Sequence, residues 1–157
     1  MSDVREEMAR LLAVGEPEPK GDDPRLAGLA ELRAQMGDPP PARDAPVREV
    51  MARLGDNWSA LILKVLATGT YRHATLKRVI SGLSSEGDIS QRMLTLRLRA
   101  LERDGFVVRR EQPTVPPRVD YALTPLGVAL SAELDRMIRW IEGHEAEILA
   151  ARASLSD

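Results

Sequence analysis

Apolar residues recur at helical spacing from residue 46 onward. Pro46 suits the first turn of a helix, Gly55 suits its end, and the residues between them follow an i, i+3, i+4, i+7 stripe. The stripe consists of Val47, Val50, Met51 and Leu54. The same spacing predicts helices over 58–68, with Asp56 or Asn57 as the cap, over 74–80, and over 90–104.

A different pattern follows the fourth of these helices. Two short runs, Phe106–Glu111 and Val119–Leu123, are apolar or alternate in the way of strands, and a proline-rich link joins them. Tyr71–His73 is short and β-prone, and Thr124-Pro125 is a good start for a long helix reaching about Ala151. We therefore predict a β-hairpin, a short extra strand and a long last helix.

The first 46 residues are punctuated by proline and glycine. Linkers over 15–21 and 37–42 separate two predicted helices, over 2–12 and 24–36. We predict an N-terminal arm over residues 1–44, with two short helices and Pro-rich linkers, followed by one domain over residues 45–157.

One segment of this arm recurs in the domain. Val4–Leu11 and Val47–Leu54 agree at seven of eight positions. The repeat is too short for a solenoid unit. It is either a local duplication, by which the arm helix mimics the second copy or competes for its packing surface, or a coincidence between two helices of similar composition.

The order of elements beyond residue 45 defines a fold. Helix, helix, short strand, helix, helix, hairpin and long helix is the order of a winged helix-turn-helix. The predicted fold class is mainly α with a small β-hairpin wing (α+β), a long C-terminal dimerisation helix and an N-terminal helical arm.

Composition excludes several kinds of chemistry. The chain has no cysteine, so disulfides, thiol nucleophiles and thiol redox switches are excluded. His73 and His144 lie far apart, and no metal-binding spacing includes them. No Gly-rich phosphate loop, nucleophile–His arrangement or acid/base pair is evident. We expect neither an enzyme nor a cofactor.

Localisation is expected to follow from the hydropathy pattern. No apolar run approaches the roughly 20 residues of a membrane span, and the polar N-terminus lacks a signal-peptide core. We expect a cytoplasmic, nucleoid-associated protein without a membrane partner.

The net charge of −2 hides an uneven distribution. Residues 72–118 carry ten basic and five acidic residues, whereas residues 1–46 carry six and ten, and residues 119–157 three and seven. A basic middle between acidic ends indicates a polyanionic partner, although chance variation of surface charge would give the same pattern. The pI of 5.8 is low for a nucleic-acid-binding domain.

The helix over 90–104 carries much of this basic charge. On a helical wheel Leu94, Leu98 and Leu101 form one face, and polar residues form the other. Such a helix is either a solvated amphipathic helix or one that docks by its leucines and reads bases with its polar side chains. The candidate base-reading residues are Gln91, Arg92, Thr95 and Arg99, the candidate phosphate contacts are Arg97 and Arg103, and Ser90, the predicted N-cap, is a further candidate DNA-binding residue.

The hairpin supplies a second basic element. Arg109, Arg110 and Arg118 flank its proline-stiffened tip, which suits contact with a DNA backbone or minor groove.

Several of these segments together resemble the HxlR-type bacterial transcriptional regulators. Ser90–Arg109 resembles the recognition helix and first wing strand of that family. Pro116–Gly127 resembles its second wing strand and the start of its last helix, and Trp58–Leu63 and Trp140 occupy its tryptophan positions. The resemblance covers about residues 45–140. It implies a homodimer that binds double-stranded DNA at a pseudo-palindromic operator, with the first and last helices in contact.

The sequence departs from the family pattern in three places. Ala45-Pro46-Val47 stands where many members have a cysteine before the proline. Arg72-His73 replaces Arg-Phe; Arg72 remains a candidate phosphate contact, and His73 is either a packed residue or a pH sensor. Leu83–Asp88 resembles an insertion before the recognition helix that repositions it or adds acidic repulsion.

The last helix carries an apolar surface wider than a domain of this size needs for itself. The surface either forms a dimer contact or simply covers its own domain. The candidate dimer residues are Val47, Val50, Met51, Leu54, Leu130, Leu134, Met137, Trp140 and Ile141. Trp58 and Trp140 are either core anchors or the lining of a pocket for a small-molecule effector of unknown identity.

Two functions remain open. The first is sequence-specific DNA binding by a homodimeric transcriptional regulator, a repressor by preference. The second is a winged-helix protein-interaction module that does not bind DNA specifically, which the acidic ends, the low pI and the insertion favour.

Overall fold

The structure is a computed structural model that describes residues 2–15 and 17–155. It divides into two compact units, Met1–Met51 and Ala52–Asp157. The described helices are α1 Ser2–Leu12, α2 Pro24–Met36, α3 Pro46–Leu54, α4 Ser59–Leu66, α5 His73–Leu83, α6 Gln91–Arg103, α7 Pro125–Gly143 and α8 Glu145–Ser154. The strands are β1 Tyr71–Arg72, β2 Val107–Gln112 and β3 Arg118–Leu123. The predicted division after residue 44 stays a prediction.

The first unit contains the two helices expected from its sequence. Asp23 caps α2, since its Oδ1 accepts a hydrogen bond from the Arg25 backbone N–H at 2.9 Å, and Pro24 follows at the first helical position. α1 packs on α2, and Met8 and Leu26 are the buried apolar residues of these helices.

The start of α4 is fixed by Asp56. Its Oδ1 accepts hydrogen bonds from the backbone N–H groups of Trp58 and Ser59, both at 2.7 Å, and its Oδ2 accepts one from the Ser59 hydroxyl at 2.6 Å. Of the two residues proposed as caps, Asp56 therefore takes the role. Burial alone would raise the pKa of Asp56, but these hydrogen bonds and the charge of Arg97 hold it below its ordinary value.

An aliphatic core holds the helices of the second unit together. Each side chain of this size contributes about 1.5–3 kcal/mol when it is fully buried. The almost completely buried members are Ile62, Leu63, Leu76, Ile80, Ile89, Leu94, Leu98 and Leu101. The leucine face predicted for α6 is thus confirmed.

The three strands form one antiparallel sheet in the order β1-β3-β2. β2 pairs with β3 from Val107↔Leu123 to Gln112↔Arg118, and β1 adds Arg72↔Asp120 on the other edge. The hairpin prediction is confirmed; β2 has the predicted length but is shifted by one residue toward the tip, and β3 is one residue longer at the tip end. The architecture is a winged helix-turn-helix, as predicted.

The prediction of one continuous helix from Thr124 to Ala151 is wrong, because two helices occupy this segment. Thr124 caps the start as expected, accepting a hydrogen bond from the Gly127 N–H at 3.0 Å, but α7 ends at Gly143 and α8 begins at Glu145. Glycine stabilises a helix least among non-proline residues, and the His144 ring donates from Nδ1 to the Trp140 carbonyl at 2.7 Å. At the break, a backbone carbonyl of α7 thus accepts a hydrogen bond from a side chain.

None of the described helices is long and apolar enough to cross a membrane.

Candidate nucleic-acid interface

The central feature is the outward surface of α6. Ser90 caps the helix, because its hydroxyl accepts a hydrogen bond from the Met93 N–H at 3.0 Å. The three core leucines fix the rotation of the helix, so the opposite side chains face away from the core. This side forms a shallow depression of about 530 Å³, which we call the reading face; it is lined by Gln91, Arg92, Thr95, Leu96 and Arg99.

The arginines of α6 divide into two kinds. Arg92 and Arg99 are exposed, and within residues 2–15 and 17–155 neither side chain has an ion pair or a hydrogen bond. Arg97 Nη1 instead lies 3.7 Å from Asp56 Oδ2, and Arg103 Nε lies 3.5 Å from Asp104 Oδ1. The two arginines assigned to base reading are therefore the uncompensated ones, and the two assigned to phosphates have acidic neighbours.

A second ion pair holds the end of the recognition helix. Arg53 Nη2 lies 2.8 Å from Asp104 Oδ2, and both side chains are largely buried. Together with the Arg97–Asp56 pair, it connects α6 to the segment just before α4. Asp56 thus caps one helix and positions another.

His73 contacts Thr95, one of the residues that line the reading face. Its Nε2 lies 3.1 Å from the Thr95 hydroxyl oxygen, and its ring is tilted against Tyr121 with centroids 6.1 Å apart. Burial, and to a lesser degree the nearby charge of Lys77, lower the pKa of His73 from 6.5. The side chain is half-buried, and it orients a candidate base-reading residue.

The wing arginines do not share one surface. Paired residues of an antiparallel sheet lie on the same face, and consecutive residues lie on opposite faces. Because Arg72, Asp120 and Arg110 form one row across the three strands, Arg72 and Arg110 share a face, whereas Arg109 lies on the other.

A buried carboxylate sits at the centre of that row. Asp120 is only 6% exposed, and it accepts hydrogen bonds from Arg118 Nε and Gln112 Nε2, each at 3.0 Å. A groove of about 560 Å³ beside it is lined by Arg72, His73, Gln112 and Arg118 together with the Pro-rich tip. Arg118, a predicted DNA contact, also neutralises Asp120 with its guanidinium.

The end of the loop before α6 anchors the start of that helix. The predicted insertion Leu83–Asp88 begins at the last residue of α5, and Ile89, which follows the segment, anchors the loop with 1% exposure. The Ile89 N–H donates to the Ser81 hydroxyl at 3.2 Å. Because Ile89 precedes the Ser90 cap, the start of α6 is fixed independently of the loop tip.

The candidate dimer residues fall into an exposed and a buried group. Met137, Trp140 and Ile141, which we call the C-terminal apolar face, are 53%, 61% and 46% exposed. Val47 and Met51 are also exposed, whereas Val50, Leu54 and Leu130 are half-buried. Leu134 is 7% exposed and belongs to the core of its own unit, so it offers little surface to a partner. Trp140, in contrast to Leu134, is too exposed to be a core anchor of the single chain.

Fold and reading face together define a winged helix-turn-helix protein. The family model for the HxlR-like helix-turn-helix matches residues 53–148, and the chain belongs to that family. It is a transcriptional regulator with a helix-turn-helix domain.

Relatives and solved structures agree with this assignment. The chain is 42% identical over 111 residues to the uncharacterized HTH-type transcriptional regulator YtfH of Escherichia coli K12, covering 71% of this chain and 83% of that protein. The structure of YtfH from Salmonella typhimurium matches with a TM-score of 0.58 and 40% identity, over 71% of this chain and 95% of that one. The reduced form of the transcriptional regulator YodB from Bacillus subtilis matches with a TM-score of 0.53 and 36% identity, over 62% and 90%.

Proposed function

We propose that this protein is a homodimeric repressor that binds pseudo-palindromic operator DNA in a sequence-specific manner, in the bacterial cytoplasm at the nucleoid. The observation that carries the proposal is the reading face of α6, where Arg92 and Arg99 stand exposed and uncompensated beside Gln91 and Thr95. Arginine pairs with two acceptors of guanine in the major groove, and glutamine pairs with adenine. The core leucines hold these side chains on a rigid helix.

The other basic residues position the protein on the backbone. Arg72 and Arg110 share one face of the sheet, beside the groove that Arg118 also lines. Arg97, Arg103 and Arg109 add positive charge around the reading face. Contacts of this kind contribute affinity and register but no sequence preference.

The exposed apolar residues support the proposal of a homodimer. Val47 and Met51 on α3 and the C-terminal apolar face are the surfaces that we assign to the homodimer, with Val50, Leu54 and Leu130 at their edges. We place the winged-helix domain at residues 45–157 and treat residues 1–44 as an arm attached to it. A two-fold axis would present two copies of α6 to half-sites about 34 Å apart.

Signal recognition differs from that of some similar proteins. One similar structure is described as the redox regulator HypR in its reduced form, but this chain contains no cysteine. A signal for this protein therefore acts on other groups, such as a small-molecule effector bound at the dimer contact.

A protein-interaction role is the alternative, and the pI of 5.8 and the acid-paired Arg97 and Arg118 favour it. The two functions are separated by fluorescence anisotropy with the chain's own upstream region and a scrambled duplex, over a series of KCl concentrations. We expect tighter binding to the upstream duplex and a log–log salt slope of about −4 or steeper, from about 0.9 per neutralised phosphate. Equal, salt-insensitive or absent binding at micromolar protein would favour the protein-interaction role.

A further inference from the structure

The repeated octapeptide adopts the same conformation in both places. Val4–Leu11 lies within α1 and Val47–Leu54 within α3, and the copies differ only where Glu7 corresponds to Val50. Residues of equal spacing on two such helices form the same surface. A partner that fits one copy therefore meets nearly the same side chains on the other.

The two copies nevertheless have different surroundings. Met8 is 7% exposed in the pair formed by α1 and α2, whereas the corresponding Met51 is 58% exposed. Val4 is half-buried, whereas the corresponding Val47 is 60% exposed. One copy has α2 as its partner, whereas the valine and methionine of the other copy remain in contact with water. The leucine of the repeat differs in the opposite sense, since Leu11 is 62% exposed and Leu54 is half-buried.

The chain order puts α2 within reach of both copies. Residues 13–23 join α1 to α2, and residues 37–45 join α2 to α3. Val4 lines a cavity with Arg33, Ala34 and Gly37, so the start of α1 lies beside the end of α2 and the two helices run antiparallel. Because α3 follows α2 after nine residues, which span up to roughly 30 Å, Val47 can reach the same place in the same direction.

The differences between the copies explain which pair the structure contains. Glu7 is exposed in α1, so its replacement by Val50 does not alter the surface that α2 contacts. The residue after the repeat is Leu12 in one copy and Gly55 in the other, and Leu12 is half-buried. The first copy thus offers α2 one more apolar side chain, which favours the α1–α2 pair.

We infer that α2 exchanges between α1 and α3, and that in the minor form α2 covers Val47 and Met51. The consequence for assembly rests on the proposed homodimer, since α3 contributes to that contact. The arm is then an internal competitor: with α2 on α1 the dimer surface of α3 is free, and with α2 on α3 it is masked. Anything that binds α1 shifts the chain toward the masked form.

Disulfide trapping tests the exchange without reference to DNA or dimerisation. Because the chain lacks cysteine, Val4→Cys, Ala34→Cys and Val47→Cys can be combined in the full-length protein and oxidised with copper phenanthroline. We expect the link between positions 4 and 34 to dominate. Adding Leu12→Gly should raise the ratio of the 34–47 link to the 4–34 link roughly tenfold, the factor that corresponds to about 1.4 kcal/mol. Adding Met8→Asp should raise the ratio at least as much.

Matched variants set the limits of the test. Glu7→Val should leave the ratio unchanged, and Glu49→Cys in place of Val47→Cys, on the other side of α3, should give little link to position 34. A ratio that ignores Leu12→Gly and Met8→Asp overturns the exchange, as does a 34–49 link as abundant as 34–47. A 34–47 link found only between two chains on a non-reducing gel also overturns it, since α2 would then bind a second copy.

Discussion

The reading face of α6 and the C-terminal apolar face of α7 are both exposed on the second unit, but the free-energy cost of exposing them to water differs. Arg92 and Arg99 are charged, so a solvated reading face costs the isolated chain little free energy. Met137, Trp140 and Ile141 expose apolar carbon, which costs about 25 cal/mol for each Å² left in water. Burial of the C-terminal apolar face against a partner would therefore stabilise the protein by itself. The reading face is well solvated without a partner, so only a ligand of complementary charge and shape would bind it. Changes in the apolar face should have the larger effects.

Trp140→Asp should have the largest effect. The indole is 61% exposed and stacks on the His144 ring with centroids 4.3 Å apart, so it is a broad anchor for a partner. Loss of a central aromatic anchor costs about 2 kcal/mol or more, which raises the dimer dissociation constant at least roughly 30-fold. Sedimentation equilibrium measures this constant. Arg139→Ala, an exposed residue about 100° around α7 from Trp140 and outside the C-terminal apolar face, should leave it unchanged, and an unaltered dimer in the Trp140 variant would remove this face from the interface.

Arg99→Ala should have an intermediate effect confined to base preference. We expect about 1–3 kcal/mol less discrimination at one base pair, because the paired donors to guanine are lost. Competition binding with singly substituted operator duplexes measures it. The control is Arg97→Ala, which removes the neighbour of Asp56 and should lower thermal stability while base preference is kept. If both variants weaken binding to all duplexes equally, the reading face is not assigned correctly.

His73→Gln should have the smallest effect, visible in the pH dependence of stability. The pKa of His73 in the folded chain is lowered, so the unfolded chain binds the proton first as the pH falls. Stability is then fully present above the unfolded pKa of about 6.5 and is lost as the pH falls through the lower folded pKa. Thermal denaturation from about pH 7.5 to 5 should lose less stability in the variant than in the parent. The pKa of Asp56 is also lowered, so the stability that this carboxylate contributes is lost only in more acidic solution. An identical pH profile in the two proteins would contradict a role for this histidine.

Local signals account for the elements that the sequence predicted. Asp23 and Thr124 stand one residue before prolines at helix starts, and Leu94, Leu98 and Leu101 repeat at helical spacing. Such signals involve residues a few positions apart, so the chain carries them wherever the element finally packs. The predicted start of each helix from α2 to α7 therefore lies within one residue of the observed start, and the order of these elements along the chain is correct, whereas α8 was not predicted as a separate helix.

The break near His144 shows the limit of local signals. A single glycine inside an apolar pattern is compatible with a continuous helix. The hydrogen bond from the His144 ring to the Trp140 carbonyl decides otherwise. A helical pattern of apolar residues gives no indication that a side chain will donate a hydrogen bond to a backbone carbonyl of its own helix.

The sequence by itself determined the secondary structure up to α7, the leucine face of α6 and the absence of thiol chemistry. Tertiary structure alone decided that Arg97 is compensated and Arg99 is not, because Arg97 meets Asp56 only after the elements have packed. It also placed His73 against Thr95, 22 positions away in the chain. The physical reason is range: periodicity and capping act within a few residues, whereas charge compensation and burial depend on elements that folding brings together. The two copies of the octapeptide demonstrate this, since Met8 is buried in α1 and Met51 is exposed in α3, whereas Leu11 is exposed in α1 and Leu54 is half-buried in α3.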